Sequence, residues 1–100
     1  MHTTPSFTER VHTLTTKIPR GRVVTYQKLA QLLHNPRAVR AVGNALNKSP
    51  GMPRVPCHRV VRSDGSVGGF AGGTNTKIKL LRKEGVVVER GKVDLKRFGK

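Results

Sequence analysis

The stretch Pro56-Cys57-His58-Arg59-Val60 holds the only cysteine among 100 residues, and a histidine follows it directly. One thiol makes no internal disulfide, and one cysteine is too few for a zinc cage. Two readings stand. Cys57 is a packed core thiol, since free cysteine is among the most buried residue types, or it is a nucleophile. Pro56 fixes a backbone torsion and donates no hydrogen bond, which sets the cysteine at a rigid corner rather than inside a regular helix. His58 and Arg59 bring a base and a positive charge near the sulfur, and both favour thiolate over thiol. Adjacent side chains often point apart, so a bridging water or a third group would complete a relay from His58 to Cys57.

The elements that position this corner belong to a small, strongly basic chain. Lys and Arg number 20 against 5 Asp and Glu, a formal net charge of +15, with 35% apolar and 4% aromatic residues. No repeat or linker divides it, so one domain over residues 1–100 is expected, with a thin core. The charge calls for a polyanionic partner, and nucleic acid is the first candidate. An acidic membrane surface is the rival, weakened by the lack of a long basic amphipathic helix with aromatic anchors. A generic solubility role is the bland alternative, opposed by the self-repulsion that such a charge imposes. No apolar run approaches a membrane span, and the polar start His2-Thr3-Thr4-Pro5 does not fit a signal peptide. With one free thiol, a reducing cytosol is the expected compartment.

Periodicity predicts the helices. Ser6 with Glu9 three residues on resembles a capping box, and Phe7, Val11 and Leu14 form one stripe of a helix ending near Lys17, ahead of Pro19. The segment 18–24 reads as a turn entering a short extended piece, with Arg20 and Arg22 flanking Gly21, either a phosphate-facing loop or a solvated turn. Thr25 is an N-cap for a helix from Tyr26 to about Leu33, with Leu29, Leu32 and Leu33 inward. After His34-Asn35-Pro36, a third helix is expected from Pro36 or Arg37 to about Asn47, with Val39, Val42 and Leu46 at core spacing. Arg37, Arg40, Asn44 and Asn47 fall on other faces, with the small residues Ala41, Gly43 and Ala45. Two short helices around such a break make a helix-turn-helix candidate.

Beyond Cys57, Val60-Val61 and Ser66-Val67 flank Asp64-Gly65 and read as a small hairpin, a wing. Residues 68–73 hold four glycines around Phe70, at a spacing unlike a dinucleotide fingerprint. A mobile loop or a close-approach pocket wall fits better, with Phe70 as a core plug or a stacking face. Thr74 or Asn75 should cap a last helix from about Thr76 to Glu84, with Ile78 and Leu81 inward and Gly85 as its stop. A second hairpin is expected around Glu89-Arg90-Gly91, and the tail from Lys96 to Lys100 is expected to be partly loose.

These residues together resemble the O6-alkylguanine-DNA alkyltransferases, which move an alkyl group from guanine O6 onto their own cysteine. Pro56-Cys57-His58-Arg59-Val60 resembles the active-site signature. Gly21-Arg22-Val23-Val24-Thr25-Tyr26 resembles the entry to the family's helix-turn-helix, and Arg40-Ala41-Val42-Gly43 its recognition helix. Ser63-Asp64-Gly65 with residues 68–73 resembles its wing and pocket loop, and Leu80-Leu81 to Glu84-Gly85 its final helix. The likeness runs from about Ile18 to Gly85, in order and with matching spacing. It implies a mainly helical, winged helix-turn-helix-like C-terminal domain, without the N-terminal domain that many members carry.

The resemblance implies that Cys57 is the alkyl acceptor, that His58 holds its thiolate through a water, and that Glu84 orients the histidine. Tyr26 would contact a phosphate and help protonate the leaving guanine. Arg40 would enter the base stack as the damaged base swings out, because O6 of a paired guanine is closed to in-line attack. Arg37, Arg22, Ala41, Gly43 and Asn44 would meet DNA, with Ala38 also suited to close approach in the minor groove, so binding would be mainly phosphate-driven. Val55, Pro56, Arg59, Val60, Phe70, Ala71 and Ser49 would line the guanine pocket. The implied partner is duplex DNA carrying O6-alkylguanine, with O4-alkylthymine a further substrate, acted on by a monomer. The chemistry is stoichiometric and calls for no cofactor and no metal. Two departures stand out. Ser49 replaces the family's usual asparagine, and Phe70-Ala71 replaces Tyr-Ser or Tyr-Ala, removing a hydroxyl. The size and the Gly91 to Leu95 tail also resemble alkyltransferase-like proteins, which bind the lesion without an acceptor and flag it for excision repair. A winged-helix regulator with a structural cysteine is a third reading, and it would read major-groove bases.

Overall fold

The computed structural model describes residues 5–48, 55–68 and 73–100. The described chain is mainly helical, with two small two-stranded sheets.

Helix α1, Phe7–Thr16, starts as its cap residue predicts: Ser6 Oγ accepts a hydrogen bond from Glu9 N at 3.1 Å. Strand β1, Val24–Thr25, leads without a break into α2, Tyr26–Leu32, where Thr25 Oγ1 accepts from Lys28 N at 3.0 Å. The inward face of α2 differs from expectation. Leu29, Ala30 and Leu33 are buried, while Leu32 is 48% exposed. At about 3.6 residues per turn, Leu29, Leu33 and Ala30 share one arc and Leu32 falls to its side.

Helix α3 spans Val39–Asn47 and begins later than predicted. Ala38 N donates to Asn35 O at 3.0 Å, so Pro36 and Arg37 occupy the centre of a turn, a place that the fixed φ of proline suits. Val42, Ala45 and Leu46 of α3 close a first core with Val11, Ile18, Leu29 and Leu33, and Val24 and Val60 also enter it.

After a 3-10 turn, Cys57–Arg59, the chain forms β2, Val60–Val61, which pairs in parallel with β1. The hairpin expected between Val60-Val61 and Ser66-Val67 is therefore not formed. The polar turn closes through Arg62 N to Ser66 O at 2.9 Å. Parallel pairing lets Val60 face the first core and Val61 a second one, since successive strand residues point to opposite sides. Ser66 and Val67 instead join the later hairpin, β3 (Val88–Glu89) with β4 (Lys92–Val93), through a Ser66–Lys92 bridge and Val67 N to Gly91 O at 3.0 Å. Gly65 is required there, because a Cβ would meet Val93 O at 2.6 Å.

Helix α4 spans Thr74–Lys83 with Gly73, not Thr74 or Asn75, at its cap. It stops at Gly85, whose φ of +86° is left-handed, with Gly85 N donating to Arg82 O and Val86 N to Leu81 O. The tail is not loose. Asp94 caps a short α5, Leu95–Phe98, and Phe98 is buried. Val23 N donates to Phe98 O and Lys100 N to Val23 O, both at 2.9 Å, so the tail closes along β1. Leu81, Phe98, Val23, Val61, Val67, Val86, Val88 and Val93 make the second core. Among the described residues no helix is long and apolar enough to cross a membrane.

Candidate active site and nucleic-acid cleft

The corner predicted for Pro56 is real. Val55 and Pro56 are buried, Cys57 N donates to Val55 O at 2.8 Å, and Arg59 N donates to Pro56 O at 3.0 Å. Cys57 is left half-buried at the edge of the first core, with its Sγ donating to Leu46 O near the end of α3 at 3.6 Å.

His58 is fully buried, with Nε2 3.0 Å from Glu84 Oε1, a close contact whose angle departs from ideal hydrogen-bond geometry. Burial pushes the imidazole below its ordinary pKa, and the opposing pull of Glu84 does not overcome it. His58 is therefore neutral at pH 7. Assigning the ring proton to Nε2, facing the carboxylate, leaves Nδ1 as a lone-pair acceptor, and it has no hydrogen-bond partner among the described residues. A neutral imidazole with an unpaired, buried acceptor nitrogen is equipped to take a proton.

Glu84 has a second partner that sequence reading did not assign. Arg59 grips it with two bonds, Nε to Oε1 at 2.9 Å and Nη2 to Oε2 at 2.5 Å, and donates Nη1 to Ile18 O at 2.8 Å. The Arg59 side chain is thus held by the Glu84 carboxylate and the Ile18 carbonyl. Burial raises the Glu84 carboxyl, but the bonds from Arg59 and His58 outweigh it and hold it below the ordinary carboxylate value.

Lys77 was also missed. It lies four residues before Leu81, within the inward stripe of α4, and is fully buried. Its Nζ donates to Val60 O at 2.7 Å and lies 5.7 Å from the centroid of the Tyr26 ring. Burial lowers its pKa to about 8, with Cys57 pulling the other way. Burial raises the Tyr26 phenol, Arg62 pulls it down and Cys57 pushes it up. The phenol keeps its proton at neutral pH. A lysine inside an apolar helical stripe was the available signal.

Tyr26 also opens onto a cleft of about 910 Å³, lined on one side by Gln27, Val39, Arg40, Gly43, Asn44 and Asn47 and on the other by Arg62, Ser63 and Asp64. Of the residues expected to meet DNA, Arg40, Gly43, Asn44 and Tyr26 line this cleft; Gln27, Asn47 and the wall from Arg62 to Asp64 were not among those expected to meet DNA. Ala41 and Arg37 are exposed but do not line the cleft. Ala38 is buried, which removes it from any groove-facing role. The turn arginines are committed elsewhere: Arg22 Nη1 donates to Arg97 O at 2.7 Å and Arg20 Nη2 to Lys83 O at 3.1 Å. Ser49, Phe70 and Ala71 lie outside the described residues. Among the described residues no group of His, Cys, Asp or Glu could hold a metal ion.

The model of the 6-O-methylguanine DNA methyltransferase DNA-binding domain matches residues 6–86. The methylated-DNA–protein-cysteine methyltransferase of Rattus norvegicus is 47% identical over 83 residues, 81% of this chain and 40% of its own length. A bifunctional methyltransferase/endonuclease of Picrophilus torridus is 40% identical over 88 residues, 88% of this chain and 30% of its own. The chain thus spans less than half the length of these curated relatives. Among solved structures, S. pombe Atl1 in complex with damaged DNA containing O6-carboxymethylguanine superposes with a TM-score of 0.85 at 28% identity, covering 94% of each chain. Mycobacterium tuberculosis OGT in complex with DNA gives 0.77 at 37%, covering 83% of this chain and 51% of that one.

Proposed function

Because the chain belongs to the 6-O-methylguanine DNA methyltransferase DNA-binding domain family, we propose that it repairs duplex DNA by moving an alkyl group from guanine O6 to Cys57. Its hundred residues act as one DNA-binding and acceptor domain. The observation that carries this reading is the Cys57-His58-Glu84 arrangement: a half-buried thiol beside a neutral, buried imidazole whose far nitrogen faces a carboxylate.

The thiol proton passes to His58 Nδ1, through a water where the two do not touch. The sulfur forms the S–C bond as the O6–C bond breaks, and the leaving guanine takes a proton from the Tyr26 phenol. The proton on His58 then restores Tyr26 through solvent, so the net change is one alkyl group moved and one proton returned to guanine. Arg40 and Tyr26, on the same cleft wall, hold the duplex where the base is extruded. The net charge of +15 supplies affinity that is independent of sequence. No resident cofactor enters these steps.

A second reading has its own support. The likeness to S. pombe Atl1, solved in complex with damaged DNA containing O6-carboxymethylguanine, supports a lesion-binding protein of the alkyltransferase-like kind. Intact-protein mass after incubation with a duplex carrying one O6-methylguanine separates the two. The expected result is the gain of one methyl group, absent in Cys57→Ser. No gain, with tight lesion-selective binding, moves the protein to the second reading. No gain and no lesion preference ends both.

A further inference from the structure

Cys57 faces a difficulty that His58 and Glu84 do not solve. In the thiol form its Sγ donates to Leu46 O, at the carbonyl end of α3. Ionisation removes that donor and sets a negative sulfur against a carbonyl oxygen and the negative pole of a helix. A cation must offset this if the thiolate is to form near pH 7. Among the described residues, the charged and titratable groups around it come from four places. His58 becomes a cation only by taking the thiol's own proton, and that charge then faces Glu84, while Arg59 is held by the same carboxylate. Tyr26, from α2, is a protonated phenol. Arg62, after β2, is exposed in the cleft, where water screens it. Lys77, from α4, is fully buried with its Nζ fixed on Val60 O, three residues after Cys57, and the charge of Cys57 pulls its pKa upward.

We infer that Lys77 is a positioning residue for the Cys57 site, its enclosed ammonium holding the thiolate charge while fixing the Tyr26 ring and the β2 carbonyl of Val60 beside it. A buried ammonium costs folding free energy, and a methionine of similar length would fill the same space without that cost. Its bond to Val60 O at 2.7 Å anchors it at the strand that leaves the Cys57 turn, and the ring of Tyr26 5.7 Å away gives it a second attractive face. With a pKa near 8 it is charged at neutral pH, when the thiolate needs it, and its hold fades as pH rises further.

This inference rests on Cys57 being the reacting thiol, yet its test needs no DNA. The rate at which iodoacetamide alkylates Cys57 is followed by intact mass from pH 5 to 10 for the wild type, Lys77→Met and Lys77→Gln. The wild-type midpoint is expected below the ordinary thiol value of about 8.5. Both variants should move it up by about one unit, a roughly tenfold loss of rate at pH 7. Gln keeps a donor for Val60 O and loses only the charge, so it separates electrostatics from packing. A wild-type midpoint at or above the ordinary value, or a Gln profile like the wild type, overturns the inference. A shifted profile in a protein that takes no methyl group from DNA leaves the inference standing and removes only the transfer reading.

Discussion

The first core, among α1, α2 and α3, is closed by side chains a helical turn apart, such as Leu29 with Leu33 and Val42 with Leu46. The second, around Leu81 and Phe98, is closed by six valines drawn from residues 23 to 93. One is assembled from local periodicity and the other from long-range pairing. They meet at the two-residue strands β1 and β2, where Val24 and Val60 face the first core and Val23 and Val61 the second. The Cys57 turn leads straight into β2, and Glu84 ends α4 on the far side of the same boundary. The site is thus not carried by either half. It is built where they join, and its geometry depends on both.

The hardest way to break this arrangement is to remove Glu84. It binds Arg59, which in turn reaches Ile18 of the first core, and it contacts His58. Glu84→Ala leaves a largely buried guanidinium without its carboxylate, and should cost about 3 kcal/mol or more in urea unfolding. Because the folded carboxyl lies below its unfolded value, its contribution is present above about pH 4.5 and is lost as pH falls through the folded value. The wild type should therefore show an acid-side loss that the variant lacks. A cost below about 1 kcal/mol would place the pair among ordinary solvent-screened surface bridges.

A cleaner cut between the two cores comes from Leu81→Ala. Leu81 is fully buried in the second core alone. The loss should be about 3 kcal/mol. Hydrogen exchange then tells whether the halves are energetically distinct. If they are, the amides of Val93 and Lys100, bonded to Gly65 O and Val23 O, accelerate more than those within α1 and α3. Equal acceleration everywhere would mean one cooperative unit, and the contrast between the cores would be spatial only.

The same contrast sets what the sequence made legible. Helices α1 to α4, the caps Ser6 and Thr25, the stop at Gly85 and the last hairpin follow from local spacing and cap chemistry, and all were readable. The parallel β1–β2 pair was not, because two valines at residue 60 carry no signal of a partner 36 residues earlier. Without it, Val60-Val61 looked like one arm of a local hairpin. The docked tail was hidden for a like reason, since its basic residues masked the single anchor Phe98. At the site, the adjacency of Cys57 and His58 was plain, and Glu84 entered through family likeness. The Arg59–Glu84 fork was not visible, and Lys77 was passed over despite its place in the α4 stripe, because a charged residue is ordinarily placed outside and only packing shows otherwise.

The smallest predicted effect on stability probes the boundary from the first core's side. Thr25 closes β1 opposite Val61 and at the same time caps α2, its Oγ1 accepting from Lys28 N. Thr25→Ala removes the cap and should cost about 1 kcal/mol, and Thr25→Ser should recover most of it. Tyr26 is the first residue of α2, so fraying this turn releases the phenol from its place over Lys77. Cys57, tied to the turn after Pro56 and to Leu46 O, is not released with it. Methyl transfer from DNA should therefore fall in Thr25→Ala by more than the stability loss explains, while iodoacetamide labelling of Cys57 stays near wild type. Equal losses in both assays would show instead that strand and helix yield together, and that the thiol and the phenol are held by one element rather than by two.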